Sequence, residues 1–149
     1  MAIITFSEPY NLDDKSIKLI YGAVGVYFIY LETLRIPYPF EPSRLIYIGL
    51  SESKQNSIGR RINAHRTGQS GNYGVRNYAL KHNVKFTFHS TEVLRYLGGH
   101  DLYEIENFFL SDFLRTKGAY PICNGQSGIT PRSPAIVATN IEVKWENFS

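Results

Sequence analysis

Val24-Gly25-Val26-Tyr27-Phe28-Ile29-Tyr30 and Arg44-Leu45-Ile46-Tyr47-Ile48-Gly49-Leu50 are two short runs of β-branched and aromatic residues, the composition of buried strands. Side chains along a strand alternate faces with period two, so Gly25 shares a face with Tyr27, and Tyr47 with Gly49. Two tyrosines on one face, each with a glycine beside it, leave room for a close approach to the backbone. The same residues also serve as ordinary strand packing. Pro37, Pro39 and Pro42 crowd the connection over 35–43 and make it extended, longer than a hairpin turn requires.

A third strand is expected from Val84 to Val93, where Lys85, Thr87 and His89 alternate with Phe86 and Phe88. Helices are expected at Ile58–Arg66, with Asn56 or Ser57 as cap, at Tyr73–His82, and from Asp101 to about Thr116, before Gly118 and Pro121. An edge strand is expected at Ala135-Ile136-Val137-Ala138-Thr139. The elements add up to one α/β (α+β) domain over residues 1–149, an antiparallel sheet with helices packed around it.

The rest of the composition bounds the function. Hydrophobic residues at 43% and charged residues at 19% are incompatible with a disordered chain. Cys123 is the sole cysteine, which excludes an intramolecular disulfide and a cluster of thiolate ligands. With no signal-like start and no apolar run near 20 residues, a cytoplasmic protein with no membrane partner is expected. Net charge is only +3, but no Asp or Glu occurs between Glu52 and Glu92. That stretch holds Lys54, Arg60, Arg61, Arg66, Arg76, Lys81 and Lys85, interleaved with Tyr73 and Tyr78. It suits a polyanion, and it equally describes a solvated basic face.

Two helices carry polar groups toward the apolar side. At about 100° per residue, Arg61 and His65 fall with Ile58 and Ile62, while Arg60 points away. An arginine snorkelling at the core edge and a histidine bonded to a carbonyl would satisfy the same pattern. On the last helix Glu106 projects into the stripe of Leu102, Ile105, Phe109 and Phe113, with Glu104 opposite and solvated. A carboxylate on an apolar face must pair with a cation, bind a metal or take up a proton. Asn124, after Pro121, offers an amide to orient a carboxylate or a ligand oxygen.

The ordered set Gly25-Val26-Tyr27, Tyr47-Ile48-Gly49, Arg61-x-x-x-His65, Glu106 and Asn124 resembles the GIY-YIG nucleases, over roughly residues 24 to 126. The resemblance implies a three-stranded antiparallel sheet flanked by helices, and an endonuclease that hydrolyses DNA phosphodiester bonds with one divalent cation, Mg²⁺ or Mn²⁺. It also implies roles: Glu106 holding the metal, Arg61 on the scissile phosphate, Tyr27 as general base, Tyr47 and His65 lining the pocket, and Asn124 supporting the site. Lys54, Arg60, Arg66, Arg76 and Lys81 are the expected DNA contacts. The connection between the tripeptides is longer than in many members, and no appended DNA-binding domain is expected. Target choice then rests on this domain, on a homodimer or on a separate targeting protein. The competing reading is a nucleic-acid-binding module that keeps the fold without cutting.

Overall fold

The computed structural model describes residues 2–6, 9–90, 94, 101–124 and 141–149. Strand β3, Gly25–Leu31, is the axis of the fold, and every one of its residues is buried. A strand with β-branched and aromatic residues at both parities has no face to give to water, so it takes the middle of a sheet. It pairs antiparallel with β4, Leu45–Ser51, on one side and with β5, Val84–Ser90, on the other. The tripeptides stand directly across from each other, Tyr27 opposite Gly49 and Ile29 opposite Tyr47.

The sheet has a fourth strand that the sequence reading lacks. Residues Tyr10–Asn11 form β2, which pairs antiparallel with β5 and gives the order β2-β5-β3-β4. Two residues carry too little alternation to be seen by pattern, and Tyr10 holds its place by stacking on Phe86 and Phe88. A second, parallel pair joins β1, Ala2–Ile4, to β6, Ile141–Val143. It brings the two ends of the chain together, and no local signal marks it. The expected strand over 135–139 lies outside the described residues, as do residues 91–93 at the end of the expected third strand.

Helices form where capping chemistry permits. Asp13 caps α1, Asp14–Lys18, by accepting from the Ser16 amide. Helix α2, Ile58–Thr67, starts at the Ser57 cap and stops at Gly68, whose φ of +84° suits glycine. Helix α3, Tyr73–Lys81, starts at Asn72, and α4, Leu102–Lys117, starts at Asp101. The two faces of β3 then go to different partners. Tyr27 meets α2 through His65, while Phe28 packs edge-on to Phe109 of α4 at 5.1 Å.

The second face is closed by both ends of the chain. Phe6, Trp145 and Phe148 cluster over Phe28, and Trp145 donates to the buried Asp112 carboxylate at 2.7 Å, which also pairs with Arg115. Arg44 donates to the backbone oxygens of Leu31, Glu32, Asn147 and Ser149, tying β4 to the end of the chain. The proline-rich connection is part of this core. Ile36 and Tyr38 are buried, Ile36 bridges Ser43, and Glu41 pairs with the buried Lys117 at 2.5 Å. No helix among the described residues is long and apolar enough to cross a membrane.

Candidate functional site

The site begins with the fit of Tyr27 against Gly49. A β-carbon at position 49 would lie 2.4 Å from Cζ of Tyr27 and 2.5 Å from its hydroxyl oxygen. Only glycine lets the phenol lie across the neighbouring strand. Gly25 is required by a different neighbour, since a β-carbon there would meet the His89 carbonyl oxygen of β5 at 2.0 Å. The two glycines thus have separate steric causes, one making room for a side chain and the other for a strand.

Laid over Gly49, the Tyr27 hydroxyl meets Nε2 of His65 at 3.0 Å in a buried hydrogen bond. Tyr47 completes a cluster of three rings, its centroid 4.9 Å from that of His65 and 6.0 Å from that of Tyr27. Burial, augmented by Tyr47, pushes the Tyr27 phenol well above its ordinary value, though Arg61 pulls the other way. Burial and the nearby Arg61 charge lower His65 to about 4. Both groups are therefore neutral at pH 7, a phenol beside an uncharged imidazole.

Arg61, one helical turn before His65, is half-buried. Nε of Arg61 and Nδ1 of His65 are buried without a hydrogen-bond partner among the described residues. Orphaned buried polar atoms are rare in folded proteins because each forfeits its hydration. Tyr47, Arg61 and His65 line one cleft of about 240 Å³, together with Asn56, Ser70 and Asn72. The last three were absent from the sequence-based site. Asn72 had a legible signal, since an Asn before an amphipathic run is a helix cap. It accepts from Val75 N and donates to the Cys123 carbonyl at 3.0 Å.

Glu106 approaches this group from α4. Its carboxyl is raised to about 7, by burial first, with Arg61 acting in the opposite sense. Its charge in turn raises the phenols of Tyr27 and Tyr47. The projection of Glu106 toward the apolar side of α4 agrees with the sequence reading. Glu104, expected to be solvated, is half-buried, as Glu106 itself is. Among the described residues no hydrogen bond or ion pair within 4 Å engages the Glu106 carboxylate, and no three His, Cys, Asp or Glu side chains gather as a metal cluster. A hard cation here would have one carboxylate and otherwise water as ligands, a set suited to Mg²⁺ or Mn²⁺ and not to Zn²⁺.

Asn124 bonds to the backbone of β4. Its amide accepts from the Ile48 N–H and donates to the Ile48 carbonyl, both at 2.8 Å. The side chain acts as a one-residue strand on the open edge of β4. It positions Tyr47 and Gly49 through Ile48, using one of its two N–H donors and one of its two lone pairs. Cys123 beside it is buried, and burial pushes its thiol up to about 12.

The basic residues do not form one face. Arg60 lies over the ring of Tyr21 at 5.4 Å, on the outer side of α2. Lys54 and Lys81 are exposed and line neither this cleft nor a second, larger groove. Arg66 and Arg76 line that second groove. No protein-family model, curated protein or solved structure matches the chain.

Proposed function

We propose that the chain is a metal-dependent DNA endonuclease of the GIY-YIG type. What supports this most directly is a cleft lined by Arg61, His65 and Tyr47, with Tyr27 bonded to His65 behind it, Glu106 within the field of Arg61, and a buried guanidinium nitrogen that has no partner among the described residues. An unpaired Nε–H beside an open polar cleft suits a phosphate oxygen, which arginine receives through its planar fork. A carboxylate in a partly dry position that no described residue engages suits a hard cation better than it suits a packing role.

The chemistry follows from these groups. Glu106 would hold the divalent cation, which supplies Lewis-acid stabilisation of charge building on the phosphate and the departing oxygen. Arg61 donates to a non-bridging oxygen, where its charge is worth more than in water because the site is partly desolvated. Tyr27 takes the proton of the attacking water. A phenolate stored in advance is excluded by the raised pKa of the phenol, so the phenol passes its own proton to His65 Nε2 in the same step. That transfer needs the lone pair on Nε2 and the proton on Nδ1, a tautomer open to an imidazole that is neutral at pH 7.

The neutrality of both Tyr27 and His65 is also the observation that favours the second reading, a module that binds nucleic acid without cutting it. The two separate on incubation of supercoiled plasmid with the protein and Mg²⁺ or Mn²⁺, with and without EDTA. The nuclease reading expects nicked or linear product that EDTA abolishes, and at least about a 10²-fold slower single-turnover rate for Tyr27→Phe. Plasmid that is bound but intact with either metal overturns the nuclease and leaves the binding module. Near-normal cutting by Tyr27→Phe removes the relay and moves the base elsewhere.

A further inference from the structure

The larger depression in the molecule, about 640 Å³, lies on the other flank of α2 from the cleft, between α2, α3 and the β2–β5 side of the sheet. Its charged lining is Arg66, Arg76, Lys85 and Glu32, with Asn83 and His82 beside them. Arg66 is held, and Arg76 is exposed beside it. Arg66 donates from Nε and Nη2 to the Asn63 side chain at 3.1 and 2.9 Å. Arg76 lies so close against the cap of α2 that a β-carbon at Gly68 would be 2.6 Å from its Nη1. Glu32, the one acid in the lining, is shared by Lys85 at 3.8 Å and by Asn83 at 2.8 Å.

We propose that this groove binds the phosphodiester backbone of a nucleic-acid strand whose continuation enters the cleft at Arg61 and His65. The inference rests on the nuclease reading only for what happens in the cleft. Its own basis is the placement of Arg66 and Arg76. Two arginines and Lys85 lining one concave surface suit successive phosphates, since each guanidinium carries five N–H donors. The groove and the cleft flank the same short connection, with Thr67 lining one and Ser70 the other. A helix is about 10–12 Å across, so a strand rising about 3.4 Å per nucleotide crosses α2 in roughly three steps. An anionic membrane would meet a convex surface more readily than a recessed one, and it is the alternative the test must exclude.

The test uses the full chain in EDTA, where cutting is suppressed, with a fluorescent twenty-nucleotide strand and its duplex titrated over a range of salt. Arg66→Gln/Arg76→Gln should weaken binding at least tenfold and flatten the dependence of log K on log salt by about 2 for duplex, one phosphate per arginine. Glu32→Gln, on the exposed rim, should tighten binding severalfold by releasing Lys85, and it decides the question if the double variant does not fold. Unchanged affinity and slope in a folded double variant, or no tightening in Glu32→Gln, overturns the groove. So does phosphatidylserine-vesicle binding that competes with the oligonucleotide and is lost in the double variant, which would assign the groove to lipid. Wild-type protein that binds through the groove but never cuts with metal removes the nuclease and keeps the groove. Wild-type cutting with binding indifferent to both arginines does the reverse.

Discussion

Glu106 and Gly49 show how single residues trade stability against a site. Glu106 has a folded value near 7 against about 4.5 for the free side chain, so above pH 7 its ionised form destabilises the fold. Glu106→Gln removes that charge. Metal-dependent cutting should be lost while the melting temperature at pH 8 in EDTA stays level or rises a few degrees, as expected where a functional group opposes stability. A drop in melting temperature of several degrees would make Glu106 structural. Gly49→Ala acts the other way. The added methyl sits where the Tyr27 ring lies, so Tyr27 must swing away from His65 at a cost of about 1–3 kcal/mol. Urea unfolding should register that cost, and cutting should fall as far as in Tyr27→Phe; a Gly49→Ala protein of wild-type stability and rate would contradict the fit of Tyr27 over Gly49. These two residues were the most legible in the sequence. Strand parity put Tyr27 with Gly25 and Tyr47 with Gly49, leaving the pairing of Tyr27 with Gly49 to the strand register, and helical projection placed Glu106 toward the apolar side of α4. What the sequence could not say was that Asn124 bonds to the backbone of Ile48, because that depends on which strand is left at the edge.

At the scale of elements, β4 is the vulnerable part of the site. It is the last strand of the order β2-β5-β3-β4, and Tyr47 and Gly49 sit on it. An edge strand has a row of unpaired N–H and C=O groups, and Asn124 satisfies both groups of Ile48, a residue with no exposed surface. Asn124→Ala leaves two buried polar groups unpaired, at about 1–3 kcal/mol each. The expected outcome is a loss of about 2–4 kcal/mol in denaturant unfolding, with activity falling as a consequence. Tyr27→Phe leaves one such group, His65 Nε2, unpaired and should cost less, about 1–3 kcal/mol. An Asn124→Ala protein of full stability but no activity would return Asn124 to the chemistry. The central strands and three helices could be read from periodicity and caps because those signals are local. The two-residue β2 and the parallel pairing of β1 with β6 could not, since both are decided by what packs against them: Tyr10 on Phe86 in one case, and Phe6, Trp145 and Phe148 over Phe28 in the other.

At the scale of the whole molecule, the buried charges of the site should cancel in the acid stability of the fold. His65 sits at about 4 in the folded chain and at 6.5 when free. Between those values the unfolded state binds the extra proton, so this group's contribution is full above pH 6.5 and is lost as pH falls toward 4. Glu106 has the opposite sign. Raised from 4.5 to about 7, it contributes stability below 4.5 that is lost as pH rises through 7. From about pH 4.5 to 6.5 one group makes unfolding take up a proton and the other makes it release one, and their slopes offset. Both values are set by burial, with Arg61 as the shared charge and Tyr27 and Tyr47 as neutral neighbours. Wild-type protein in EDTA should therefore show little site-dependent change in unfolding free energy across that window. Glu106→Gln should uncover the histidine, losing up to about 3 kcal/mol from pH 6.5 to 4 at 1.36 kcal/mol per unit. Denaturant unfolding at several pH values reads this directly. If wild type and Glu106→Gln lose stability in parallel as the pH falls, the two groups are not opposed, and the picture of a neutral imidazole and a desolvated carboxyl on either side of Arg61 fails.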